Sequence, residues 1–109
     1  MKEDEKSVLI EYFGDTPILR IIDFLLENRL FDYSKKQIID GTELAKATFY
    51  KYWENIVELE IVVPTRSFGK TKLYKINEKS PIVKKIKELE LELIEKTAPT
   101  HNKTVPQVS

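Results

Sequence analysis

The stretch SKKQIIDGTELAKATFYKYWENIVELEIVVPTRSFGKTKLYKIN, residues 34–77, holds the reading on which the rest depends. It opens on Ser34 with Gln37 three residues on, the spacing of a capping box, in which two side chains each satisfy a backbone N–H of the first turn. A short helix therefore starts at Lys35 and carries Ile38 and Ile39. It ends near Gly41, whose tolerance of positive φ suits a helix terminus. Glu43-Leu44-Ala45 is a turn. From Lys46 the side chains of Phe49, Trp53 and Ile56, with Tyr52 and Leu59 beside them, recur at helical spacing and define a buried stripe. Lys46, Thr48, Tyr50, Lys51 and Glu54 fall on the other side. Ile61-Val62-Val63 begins a strand that Pro64 confines to an edge. Phe68-Gly69 turns the chain, and Thr71 to Ile76 returns as a second strand. The result is an antiparallel hairpin over residues 61–77 with a basic tip.

On the N-terminal side, Val8, Leu9, Tyr12 and Phe13 make a short leading helix that Gly14 stops. Thr16-Pro17 is a helix start, because threonine accepts an orphan N–H and proline sits where none is needed. Ile18, Leu19, Ile21, Ile22, Leu25, Leu26 and Leu30 then cover a broad apolar face, with Arg20, Asp23 and Glu27 on the wet side. Phe31-Asp32-Tyr33 is a connection. On the C-terminal side, Ser80-Pro81 repeats the cap-then-proline signal. Ile82, Ile86, Leu89 and Leu93 follow at the spacing of a coiled-coil seam, widened by Val83, Leu91 and Ile94. That surface is too wide for one neighbouring helix, so a second copy of the chain is expected to cover part of it. The domain is expected to span residues 7–96, with its last helix at 81–96. A flexible start at 1–6 and a disordered tail at 97–109 flank it.

A chain of 109 residues with 41% hydrophobic side chains builds one modest core. Zero cysteines exclude disulfides, thiolate zinc sites and cysteine nucleophiles. No apolar segment follows the charged start and none is long enough to span a membrane, so a soluble, cytoplasmic protein is expected, with no membrane partner. His101, the one histidine, lies in the expected tail. The carboxylates Asp23, Glu27, Glu88, Glu92 and Glu95 read as helix surface, and Gly14, Gly41 and Gly69 are isolated. No catalytic residues, metal, cofactor or small-molecule ligand is therefore expected, and the chain does not read as an enzyme.

Net charge is zero, yet it is unevenly spread. Up to Tyr33, eight acids face four bases, whereas from Ser34 to Lys75 eight bases face five acids. A sign change inside one domain points to an electropositive face.

The segments Tyr33-Ser34-Lys35-Lys36-Gln37-Ile38, Lys46-Ala47-Thr48-Phe49-Tyr50-Lys51-Tyr52-Trp53-Glu54-Asn55-Ile56-Val57-Glu58-Leu59 and Gly69-Lys70-Thr71-Lys72-Leu73-Tyr74-Lys75-Ile76-Asn77 resemble, in order and spacing, archaeal winged helix-turn-helix transcriptional regulators. The likeness runs from about Val8 to Ile94. It implies a mostly α fold with a small antiparallel β-hairpin, an α+β winged helix-turn-helix with a C-terminal dimerisation helix. It also implies a homodimer bound to double-stranded DNA, with residues 46–58 in the major groove and the hairpin at 61–77 on the adjacent backbone. Lys46, Thr48, Tyr50 and Lys51 are then candidates for base contact through hydroxyl, methyl and ammonium groups. Ser34, Lys35, Lys36, Arg66, Lys70 and Lys72 are candidates for the DNA backbone, and Ile82, Ile86, Leu89 and Leu93 for the dimer interface.

The chain departs from the family where Glu43 and Glu60 stand in place of glycine and Ala45 in place of a capping Ser or Thr, each at a cost of about 1 kcal/mol. Phe49, Tyr52 and Trp53 read as core rather than as a stacking platform. The alternative function is a winged-helix module that docks on protein without DNA, for which neutrality, Glu43, Tyr50 and Phe68 speak.

Overall fold

The computed structural model describes residues 7–97, so the expected flexible start and all of the expected tail beyond Thr97 lie outside the described residues. Five helices and one hairpin follow in the order α1 (Val8–Phe13), α2 (Pro17–Glu27), α3 (Lys35–Thr42), α4 (Lys46–Glu58), β1 (Val62–Phe68), β2 (Thr71–Ile76) and α5 (Pro81–Thr97). Local side-chain chemistry sets four of the five helix starts. Ser7 Oγ accepts from the Ile10 N–H, Thr16 Oγ1 from Leu19 and Ser80 Oγ from Val83. At α3 the capping box is complete: Ser34 Oγ accepts from the Gln37 N–H at 3.1 Å, and Gln37 Oε1 accepts from the Ser34 N–H at 2.8 Å. Helix α4 begins after Ala45 with no side-chain cap.

Leu9, Ile21, Leu25, Ile38, Phe49, Ile56, Ile61, Ile76 and Val83 form the fully buried centre, to which every helix and both ends of the hairpin contribute. Trp53 stacks on Phe49 with ring centroids 5.0 Å apart and meets Tyr74 edge-on at 5.1 Å, which seats α4 on β2. On the last helix Val83 is buried, and Ile86 and Leu93 pack against the same core.

The strands pair antiparallel from Val62↔Ile76 to Phe68↔Thr71, with a bulge between Pro64 and Ser67 and Gly69 at φ +59° in the turn. Tyr33 adds a one-residue third strand: its N–H donates to the Tyr74 carbonyl at 2.7 Å and its carbonyl accepts from the Tyr74 N–H at 2.8 Å. Tyr74 thus spends both backbone groups on Tyr33. Its partner across the other ladder is Pro64, which has no N–H to offer, so the proline costs the sheet no hydrogen bond.

Several expectations are corrected. Asp23 is 8% exposed rather than on the wet side of α2, with Ser7 at the start of α1 hydrogen-bonded to it and Glu90 of α5 within electrostatic reach. Leu30 is 74% exposed, since α2 ends at Glu27 and the residue leaves the helical face. Leu59 also lies outside its helix and is exposed. Gly41 is helical, and the positive φ falls two residues later on Glu43, at 60°. What glycine supplies at 41 is room: a Cβ there would stand 2.3 Å from Phe24 Cε1.

Candidate nucleic-acid interface

Helices α3 and α4 with the turn between them form the part of the molecule that carries the candidate site. The turn is held from outside. Arg20 of α2 donates through Nη1 to the Thr42 carbonyl at 2.8 Å and forks onto Asp15, at 2.9 and 3.3 Å. Glu43, the left-handed residue that ends α3, lies within electrostatic reach of the same guanidinium. Its negative charge is thereby partly offset by Arg20.

Lysines from two separate segments converge beside this turn. The Lys35 ammonium sits over the Tyr50 ring, 5.6 Å from its centroid, so the first turn of α3 touches the first turns of α4. Lys36, Ile39, Asp40, Lys46 and Tyr50 line a hollow of about 280 Å³ between the two helices. Lys36 pairs there with Asp40 at 3.5 Å, an exposed contact that a phosphate can displace at little cost. Ser34 is committed as an acceptor to the Gln37 N–H.

Around α4, Phe49, Trp53 and Ile56 point into the core, and Ala47, Lys51, Glu54 and Glu58 are exposed on the side diametrically opposite. Lys46 and Tyr50 occupy the flank toward α3, and Thr48 is half-buried on the other flank. Lys51 Nζ lies 5.6 Å from the centroid of Tyr52, the next ring along the helix. The exposed line through Ala47 and Glu54 was open to sequence reasoning. Counting 100° per residue from the three core positions places it opposite them.

The hairpin is a different environment. Arg66 Nε and Nη2 donate to Asp32 at 2.9 and 3.2 Å, Thr65 Oγ1 donates to the same carboxylate at 2.6 Å, and the guanidinium also covers Phe68 at 5.2 Å. These hydrogen bonds, Arg66 foremost and Thr65 next, hold the Asp32 carboxyl at about 2, well below the usual range. Arg66, two residues before Phe68 in β1, is therefore already bound to an acid. Lys70 and Lys72 are exposed near the tip, at the far end from Val62 and Ile76. Asp32 and Arg20 were not among the residues singled out in sequence, because each acts on a partner more than twenty positions away.

A helix-turn-helix followed by a two-stranded hairpin and a last helix is the winged helix-turn-helix fold. No family model and no curated protein sequence matches the chain. Among solved structures it is similar to Sso10a-2, described as a DNA-binding protein from Sulfolobus solfataricus, with 15% identity over 82% of this chain and 97% of that one and a TM-score of 0.48. It is also similar to a mutant of ZitR from Lactococcus lactis, with 15% identity over 96% of this chain and 67% of that one and a TM-score of 0.55. The second likeness is one of fold.

Proposed function

We propose that this protein is a homodimeric transcriptional regulator that binds double-stranded DNA sequence-specifically through α4 in the major groove and the hairpin on the neighbouring backbone. The observation that carries the reading is the meeting of Lys35, Lys36, Lys46 and Tyr50 between α3 and α4, with the exposed Lys51 next to Tyr50 on α4. Positive charge gathered beside an exposed helix is what a phosphate backbone needs in order to guide that helix to base edges. In this reading Lys46, Thr48, Tyr50 and Lys51 approach bases. Ser34, Lys35, Lys36, Lys70 and Lys72 meet phosphate or sugar, and Arg66 does so while tied to Asp32.

The dimer rests on α5. Ile82 and Leu89 of its seam remain 39% and 41% exposed, while Ile86 and Leu93 turn toward the core of their own chain. Half of the seam is thus left for a second copy, with Leu91 and Ile94 extending the exposed apolar surface.

The test is titration of a labelled duplex at several salt concentrations. Six to ten neutralised phosphates per dimer give a slope of log K against log salt of about −5 to −9. A flat slope, or no binding at low salt, refutes the reading. One observation favours docking on protein instead: Phe68 is 61% exposed beside an arginine that Asp32 has already neutralised. Under that alternative the chain binds no duplex even at low salt, and an Arg66→Ala, Phe68→Ala variant loses a protein partner.

A further inference from the structure

The charge along α4 is divided by its length. Lys46 and Lys51 stand in the first half, with Lys35 and Lys36 of α3 alongside, and Glu54, Glu58 and Glu60 follow in the second half and just beyond it. The N-terminal end also carries the positive end of the helix dipole. A polyanion therefore attracts the first half and repels the second, so the helix enters a groove by its N-terminal half. Glu54 sits at the boundary, on the same outward line as Ala47 and Lys51 and opposite the core stripe.

Glu54 also enters uncompensated. Lys51, one turn before it, directs its ammonium over Tyr52, and Glu54 forms no ion pair among the described residues. A full carboxylate inside the major groove meets mostly acceptors: guanine N7 and O6, adenine N7 and thymine O4. The donors there are the amino groups of cytosine and adenine. Adenine sets its N7 lone pair next to that amino group, so the second carboxylate oxygen is repelled. Cytosine sets a C5–H there. Lys51 and Glu54 are about 4.5 Å apart along the helix axis, close to one base-pair step of about 3.4 Å.

Building on the DNA-binding reading, we propose that Glu54 is a specificity-determining residue that demands a cytosine at one position of each half-site, at or next to the base pair met by Lys51. Its role is largely one of exclusion. Any other base leaves the carboxylate facing an acceptor or a methyl group, and binding fails there more than elsewhere.

The experiment measures affinity for every single-base variant of a duplex chosen by selection from random DNA, with the wild-type protein, Glu54→Gln and Glu54→Ala, each checked for native helix content. For the wild type, replacing one particular cytosine weakens binding roughly ten-fold or more. In Glu54→Ala that preference collapses at that position alone, while duplexes that the wild type rejected there bind several-fold tighter. Glu54→Gln moves the preference at the same position toward adenine, for which a carboxamide is the bidentate partner. Equal shifts on all sequences, or a selected site with no cytosine preference that depends on residue 54, overturn the proposal and leave DNA binding intact. Absence of wild-type binding to any duplex overturns both, and is visible before any variant is made.

Discussion

The guanidinium of Arg20 donates to the carbonyl oxygen of Thr42 at 2.8 Å, so the second helix holds the last turn of the third. Glu43, Leu44 and Ala45 alone separate that turn from the start of α4. A lysine in this place keeps the charge and loses the fork that reaches Thr42 and Asp15 together.

Arg20→Lys is expected to lower the free energy of unfolding by about 1 kcal/mol, the value of a charge-assisted hydrogen bond reduced for partial solvent access. Urea unfolding reads it. An unchanged midpoint would detach Arg20 from the turn.

Gly41→Ala gives a test of sign. In an ordinary helix interior this change stabilises by about 1 kcal/mol. Here the new Cβ meets the Phe24 ring at 2.3 Å, and that ring is backed by Tyr33 at a centroid distance of 5.2 Å. Overpacking of this kind costs about 1–3 kcal/mol, so net destabilisation is expected. Trimming the neighbour, as in a Phe24→Leu background, restores the usual gain. Stabilisation by the single change would show that the ring yields freely.

Two aspartates give opposite pH dependence. Asp32 is held at about 2 by Arg66 and Thr65, below its unfolded value of 3.8. Its contribution is present above about 4 and is lost as pH falls toward 2, so Asp32→Asn flattens that acid limb. Asp23 is raised by burial, only partly opposed by a hydrogen bond from Ser7, and both Glu27 and Glu90 are raised by burial and by Asp23. A raised carboxyl makes the folded state favour the proton, so stability declines as pH climbs through the window between its unfolded and folded values. Asp23→Asn is therefore expected to raise Tm at pH 7, with the gap to wild type closing as pH falls toward 4. Melting curves from pH 2 to 7 decide both, and a constant gap for Asp23→Asn would remove the carboxylate from this role.

Lys51 and Lys72 are expected to fail differently. Lys51→Ala should weaken a selected duplex roughly ten-fold more than random DNA, because base contact carries sequence information. Lys72→Ala should weaken all duplexes alike and reduce the salt slope by about 1.8, one phosphate contact being lost from each protomer of the dimer. Competition binding at two salt concentrations separates them, and equal losses in both variants would dismiss the base-reading assignment.

Much of the fold was legible because helix starts are written within four residues. Thr16-Pro17, Ser34 with Gln37, and Ser80-Pro81 each satisfy their own backbone donors, and each opens a helix where it was expected. The stripe Phe49, Trp53, Ile56 was legible for the same reason, since helical phase needs no partner. The candidate site was partly legible: its lysines and exposed helix could be named, but not that Arg66 is already tied to Asp32 or that Lys35 lies against Tyr50. Those contacts join residues 34 and 15 positions apart.

The sequence by itself determined the order of elements, their caps and the excess of positive charge in the second third of the chain, because these depend on neighbours within a turn or a strand pair. Only the tertiary structure decided that Asp23 is buried, that Gly41 is needed for space rather than for φ, and that Tyr33 adds to the sheet across Tyr74 from Pro64. In each case the outcome belongs to what a distant segment brings against the residue: Ser7 and Glu90 to Asp23, Phe24 over Gly41, Tyr74 beside Tyr33. Periodicity records which way a side chain faces, and packing alone records what it meets there.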